Sequence, residues 1–187
     1  MLKAYYVRCR PTANIDYCML LSFYDLAEYN IETKCFDTIH YTSVRELAER
    51  LKVSQSTVNR LFANAEYNEF MKIDREKKTI MLYNNFGKGI KDIFVRLTAE
   101  EAQLIKEMND NLFSKYLIYL KYYCGYTKNN TDFTAKQFLI ACGYSVKSNN
   151  TFDKISGYNR LLVKKGLVSI NIYRDELGHT RNNYFYN

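Results

Sequence analysis

Residues 43–65 hold two short amphipathic segments so close together that only a tight pair of helices accommodates both. Ser43-Val-Arg-Glu46 is an S-x-x-E capping box opening SVRELAERL, a pattern in which serine and glutamate satisfy each other's orphan backbone N–H groups. After a short break, Ser54 stands where an N-cap is needed for SQSTVNRLFANAE. Leu47, Leu51, Val53, Val58 and Leu61 supply the apolar faces, and Ala48 is small enough for the helices to cross there at close range. FMKID and TIMLY follow, two β-type runs flanking Arg75-Glu76-Lys77-Lys78, and polar turn residues between such runs read as a hairpin. Before the pair, residues 15–31 are apolar nearly all round, as expected of a helix at the centre of a small domain.

The second half repeats this order. Thr98-Ala-Glu-Glu101 is another capping box, opening a helix predicted over residues 99–124. Its apolar residues Ile105, Met108, Leu112, Tyr116, Leu120 and Tyr123 form one stripe. That stripe reads as core, with part of it available as a seam for a second copy. An Asn-rich loop (125–132) follows, then Thr134-Ala-Lys-Gln137, a third capping box, with Gly143 supplying a left-handed helix end. A further helix is predicted over about 150–165, and LVSINIY and HTRNNYFY read as strands joined by Arg174–Gly178. Ser43 and Leu47 align with Thr134 and Phe138 at an offset of 91, and Asn59-Arg60-Leu61 aligns with Asn159-Arg160-Leu161 at an offset of 100. An insertion around YSVKSNN accounts for the difference, so one plan is used twice.

LAERLKVSQSTVNRL (47–61) resembles the bacterial helix-turn-helix, and with a hairpin after each second helix both halves resemble winged-helix domains. The turn departs from the family pattern: Lys52 stands where glycine is usual. The resemblance implies a mostly α chain with small β-hairpins (α+β), two winged helix-turn-helix domains in tandem. Residues 1–86 would form the first (helix-turn-helix 43–65, wing 69–84), 87–97 a linker, and 98–187 the second (recognition helix about 150–165, wing 167–186). It implies double-stranded DNA as partner, with the second helix of each pair in a major groove. Tandem architecture and basic charge are similar to replication initiators of plasmids and phages and to transcription regulators of mobile elements. The alternative is a winged-helix protein–protein module of a replication or partition complex.

The residues suited to this chemistry are short polar side chains and cations at helix starts and wings. In the first copy they are Ser54, Gln55, Ser56, Thr57, Asn59 and Arg60, with Arg75, Lys77 and Lys78 on the wing. In the second they are Asn149, Asn150, Thr151, Lys154, Asn159, Arg160 and Lys164, with Arg174 and Arg181 on the wing. Formal charge is +7 over 187 residues, which suits a polyanion without demanding one. Residues 131–187 carry eight Lys and Arg against four Asp and Glu, making the second module the more basic per residue.

Other classes find little to stand on. Five scattered cysteines without C-x-x-C spacing, and only His40 and His179, fit no familiar zinc pattern. They point to buried free thiols in a reducing compartment, with no metal or cofactor. LGHTRNNYFY (177–186) has a superficial likeness to a tyrosine-recombinase segment but lacks the H-x-x-R pair that such chemistry needs. There is no Walker A motif. The reading is therefore a non-enzyme, cytoplasmic and without a membrane span, able to act as a homodimer.

Overall fold

The computed structural model describes residues 5–10, 12–32, 35–83, 94–126, 134–147 and 149–187. The fold is mixed α+β, with seven α-helices and small antiparallel sheets among these residues. The chain divides into two units, Met1–Arg8 with Asn14–Asn109, and Cys9–Ala13 with Asp110–Asn187.

In unit 1 the order is β1 (Tyr5–Arg8), α1 (Tyr17–Leu26), β2 (Glu28–Asn30), β3 (Cys35–His40), α2 (Val44–Leu51), α3 (Gln55–Ala63), a 3-10 turn (Ala65–Glu69), β4 (Met71–Asp74), β5 (Thr79–Leu82), β6 (Phe94–Leu97) and α4 (Ala99–Met108). Asp16 caps α1 by accepting from the N–H groups of Cys18 and Met19 at 2.9 and 3.2 Å. Five of its residues, including Leu20, Leu21 and Phe23, are buried, so it is the central helix its composition required. It is shorter than the apolar run of 15–31. Ala27 takes an extended backbone, and Glu28–Asn30 pair with β3 instead, where Tyr29 meets the edge of Phe36 with ring centres 5.3 Å apart.

The helix pair forms as its capping residues dictate. Ser43 accepts from the Glu46 N–H at 3.1 Å, and Leu47, Ala48, Val58 and Leu61 are buried. Lys52 ends α2 in the left-handed conformation, φ 57° and ψ 41°, a geometry that costs an L-residue about 1–2 kcal/mol. The hairpin β4–β5 is not isolated. It belongs to a four-stranded sheet of order β2-β3-β5-β4, in which β3, unforeseen in the sequence, pairs with β5 through Ile39 and Ile80, both fully buried. Strands β1 and β6 pair antiparallel, Tyr5 opposite Leu97 and Arg8 opposite Phe94.

The helix expected over 99–124 is two helices. Asn109 adopts a left-handed φ of 45°. Asp110 then accepts from the Leu112 and Phe113 N–H groups at 2.9 and 3.3 Å, starting α5 (Asn111–Tyr126) in unit 2. Helix α4 therefore belongs to unit 1, where Lys106 pairs with Asp25 at 2.7 Å. Of the expected linker, 94–97 is strand β6, and 87–93 lie outside the described residues, as do 127–132 of the Asn-rich loop.

Unit 2 continues with α6 (Ala135–Ala141), α7 (Asn149–Lys164), β7 (Val168–Arg174) and β8 (Thr180–Tyr186). Thr134 and Gln137 form a reciprocal capping box, and Gly143 follows α6 at φ 72°. Phe113, Tyr116, Phe138, Ile155 and Leu162 build the core. Tyr116 meets Phe138 edge-on at 5.0 Å, a pairing that adds about 0.5–1.5 kcal/mol to its area burial. The stripe of 105–123 is divided between the two units: Ile105 is buried in unit 1, Leu112, Tyr116 and Leu120 are buried in unit 2, and Met108 and Tyr123 are half-buried.

Candidate nucleic-acid interface

Helix α3 presents a polar face because its apolar one is fully used. Val58 and Leu61 are buried, while Gln55, Ser56, Asn59 and Arg60 are exposed and Thr57 is half-buried. Ser54 is a cap. Its hydroxyl accepts from the Thr57 N–H at 3.2 Å and lies 2.7 and 2.9 Å from the hydroxyls of Ser56 and Thr57. The three hydroxyls thus form one cluster at the helix start, where unpaired N–H groups favour an anion.

The hairpin β4–β5 is fastened to the far end of the same helix. Arg75 donates to the Phe62 carbonyl at 3.3 Å, and its guanidinium stands 5.6 Å from the centre of the Phe62 ring. Lys78 has φ 51°, and its carbonyl accepts from the Tyr41 N–H at 3.1 Å. A shallow cavity of about 150 Å³ results, lined by Tyr41, Ser43, Asn59, Phe62, Arg75 and Lys78 among others. Burial pushes the Tyr41 phenol up against the opposing pull of Arg75, so it stays a neutral donor. Asn59, Arg75 and Lys78, expected from separate elements, come together here. Lys77 is exposed on the turn, its N–H held by Asp74 at 2.9 Å. Tyr41 and Phe62 were not foreseen, since nothing local in the sequence marks a ring as the bracing surface for an arginine.

In unit 2 the expected residues do not share one role. Asn149 and Asn150 are exposed and Thr151 half-buried at the start of α7, while Arg160, Lys164 and Arg174 are exposed. Lys154 lies 3.6 Å from Asp110, and Arg181 donates to Asp175 at 2.9 Å. Asn159 faces inward: its carbonyl accepts from the Tyr116 hydroxyl at 2.5 Å and its amide donates to the Tyr184 hydroxyl at 3.0 Å. It bridges two buried phenols, where the alignment with Asn59 had placed it on the outer face.

Two carboxylates of this unit are depressed. Asp110 pays a burial cost that is outweighed by hydrogen bonds from Tyr158, Phe113 and Leu112 and by the Lys154 charge. Asp175 is drawn down to about 2: desolvation opposes the shift and is outweighed by Arg181, the His179 N–H and charge, and the Leu177 N–H together.

Cys9, Cys124 and Cys142 are buried and Cys18 and Cys35 half-buried. Burial pushes the Cys9 and Cys142 thiols up to about 12, which leaves them protonated and poor nucleophiles. Among the described residues no three His, Cys, Asp or Glu side chains cluster as a metal site requires, and no helix is long and apolar enough to cross a membrane. Comparison with protein-family models, with curated proteins and with solved structures gives no match.

Proposed function

We propose that this chain binds double-stranded DNA in a sequence-specific manner through two winged helix-turn-helix modules in tandem, acting in replication or transcription rather than as an enzyme. The observation that carries this reading is the shared surface of α3 and its hairpin. Asn59 lines one concavity with Arg75 and Lys78, beside the exposed Gln55, Ser56 and Arg60. Short amides and hydroxyls match base edges in a major groove, and Arg60 can fork onto guanine or phosphate. Arg75 and Lys78 supply charge for the flanking backbone.

The order of elements supports a winged-helix module in unit 1. Helix α1, strand β3, helices α2 and α3 and the hairpin follow in sequence, and β3 anchors the hairpin by pairing with β5. Unit 2 contributes Arg160, Lys164 and Arg174 as phosphate contacts. A gel shift on random duplex DNA across a salt series tests the proposal. Retardation should weaken with salt, each neutralised phosphate adding about −0.9 to the log–log slope, and rounds of selection should enrich one motif. No retardation at low salt sinks it.

A further inference from the structure

We propose that the outer edge of β7 pairs with β7 of a second copy of this chain, as an antiparallel sheet whose two-fold axis passes Asn171. The hairpin β7–β8 is a two-stranded sheet with no third strand among the described residues. Its register runs unbroken from Val168 opposite Tyr186 to Arg174 opposite Thr180. At its two ends the bonds to the neighbouring strand are made by Leu167, whose carbonyl accepts from the Asn187 N–H at 3.0 Å, and by Asp175, whose N–H donates to His179 at 2.9 Å. Antiparallel bonding alternates along a strand. The backbone groups of Val168, Ile170, Ile172 and Arg174 therefore point out from the free edge.

That edge has few of the devices that keep edges apart, its one charge being Arg174 at the last position. The strand VSINIYR contains no proline, no lysine and no bulge, and such an edge is a template for another chain. The side chains of Val168, Ile170 and Ile172 share one face. Val168 is buried in the core with Tyr184 and Tyr186, whereas Ile172, further out on the same face, is 72% exposed. Charge permits a second copy of the chain as the occupant. The chain carries +7, but at the hairpin's outer end Arg174 and Arg181 are balanced by Asp175 and Glu176. A like surface is therefore not repelled there.

The strand is also complementary to itself. With the axis at Asn171, Ile170 meets Ile172 of the second copy and Val168 meets its Arg174, both as hydrogen-bonded pairs. Tyr173 meets Ser169 of the second copy, and the two Asn171 residues face each other with Cα atoms about 4.5 Å apart. The exposed Ile172 thereby gains an apolar neighbour across the two-fold axis.

Sedimentation or light scattering of the whole chain without DNA tests this, so the result stands or falls apart from DNA binding. The wild type should form dimers. Ile172→Pro removes only an outward N–H and should weaken self-association at least about tenfold with the thermal melt little changed. Should it unfold, Ile172→Lys serves the same purpose. Under mild oxidation Asn171→Cys should give a covalent dimer, since facing residues at that spacing suit a disulfide. Ser169→Cys and the wild type should not. A monomer at every concentration overturns the proposal, as do dimers indifferent to both Ile172 variants or cross-linking at Ser169→Cys equal to that at Asn171→Cys.

Discussion

At an offset of 100 residues, Asn59-Arg60-Leu61 of α3 corresponds to Asn159-Arg160-Leu161 of α7, yet the two asparagines look opposite ways. Asn59 is exposed and lines the concavity beside the hairpin. Asn159 holds Tyr116 and Tyr184 together inside unit 2. The surroundings differ in the same sense. The first hairpin is one side of a four-stranded sheet and is braced to α3 through Arg75, while the second is a two-stranded ribbon with Ile172 bare. A repeated order of elements does not carry repeated chemistry: the partners of each side chain decide what it can do.

The largest effect should come from the two asparagines. Asn159→Ala removes the amide that joins the Tyr116 and Tyr184 hydroxyls and should destabilise the fold by about 2–3 kcal/mol, read by denaturant unfolding. Asn59→Ala should change stability by no more than about 0.5 kcal/mol. Equal losses at the two positions would abolish the contrast.

DNA readout should separate the units next. Gln55→Ala or Asn59→Ala should each cost about 1–3 kcal/mol of affinity for the selected site and flatten its profile at one position. Arg160→Ala, Lys164→Ala and Arg174→Ala should weaken all sequences alike and lower the salt slope by about 1 each. If the cation variants alter the preferred sequence and the α3 variants do not, the roles are reversed.

The turns that end α2 and α6 offer a smaller test. Lys52 and Gly143 both sit at positive φ, 57° and 72°, but only glycine does so without steric cost. Lys52→Gly should stabilise the protein by up to about 1 kcal/mol, and Gly143→Ala should destabilise it by about 1 kcal/mol. Melts that move the same way for both would mean the turns are not equivalent.

Acid gives the mildest separation. Asp110 and Asp175, both of unit 2, have folded values held below the unfolded carboxylate value of about 3.9. A depressed group stabilises the fold above its unfolded value and loses that contribution as pH falls towards its folded one. Between pH 4 and 2 the tip of β7–β8 should therefore loosen, read as faster amide exchange at Leu177 and His179. Unchanged exchange there would discount the Asp175 hydrogen bonds.

The helix pair of unit 1 was readable because its signals are local. Ser43 and Ser54 cap within three residues of themselves, and the apolar spacing fixes which face of α3 is left over. Strands β1, β3 and β6 were not readable, because β1 pairs with residues almost a whole unit further along the chain and short runs such as YYVR carry no periodicity of their own. The break at 109–110 did leave a trace. Asn109-Asp110 joins a residue tolerant of left-handed backbone to a strong N-cap, and the continuous apolar stripe masked it. The inward turn of Asn159 left none, since only the packed core supplies the two tyrosines that engage it. The concavity lined by Asn59, Arg75 and Lys78 was legible as a set of residues and not as a place.

Residues Cys9–Ala13 belong to unit 2 although unit 1 begins before them and resumes after them. Neither unit is therefore a single uninterrupted length of chain. On the ribosome, the first piece of unit 2 emerges before most of unit 1, and it must wait for α5 and α6 to be synthesised before it finds its place beside Tyr119 and Cys142. For inheritance the effect is similar. One recombination breakpoint at Asn109 would carry off α5 to β8 but leave Cys9 and Ala13, both buried, with the wrong half. The two modules are bound to travel and to fold together.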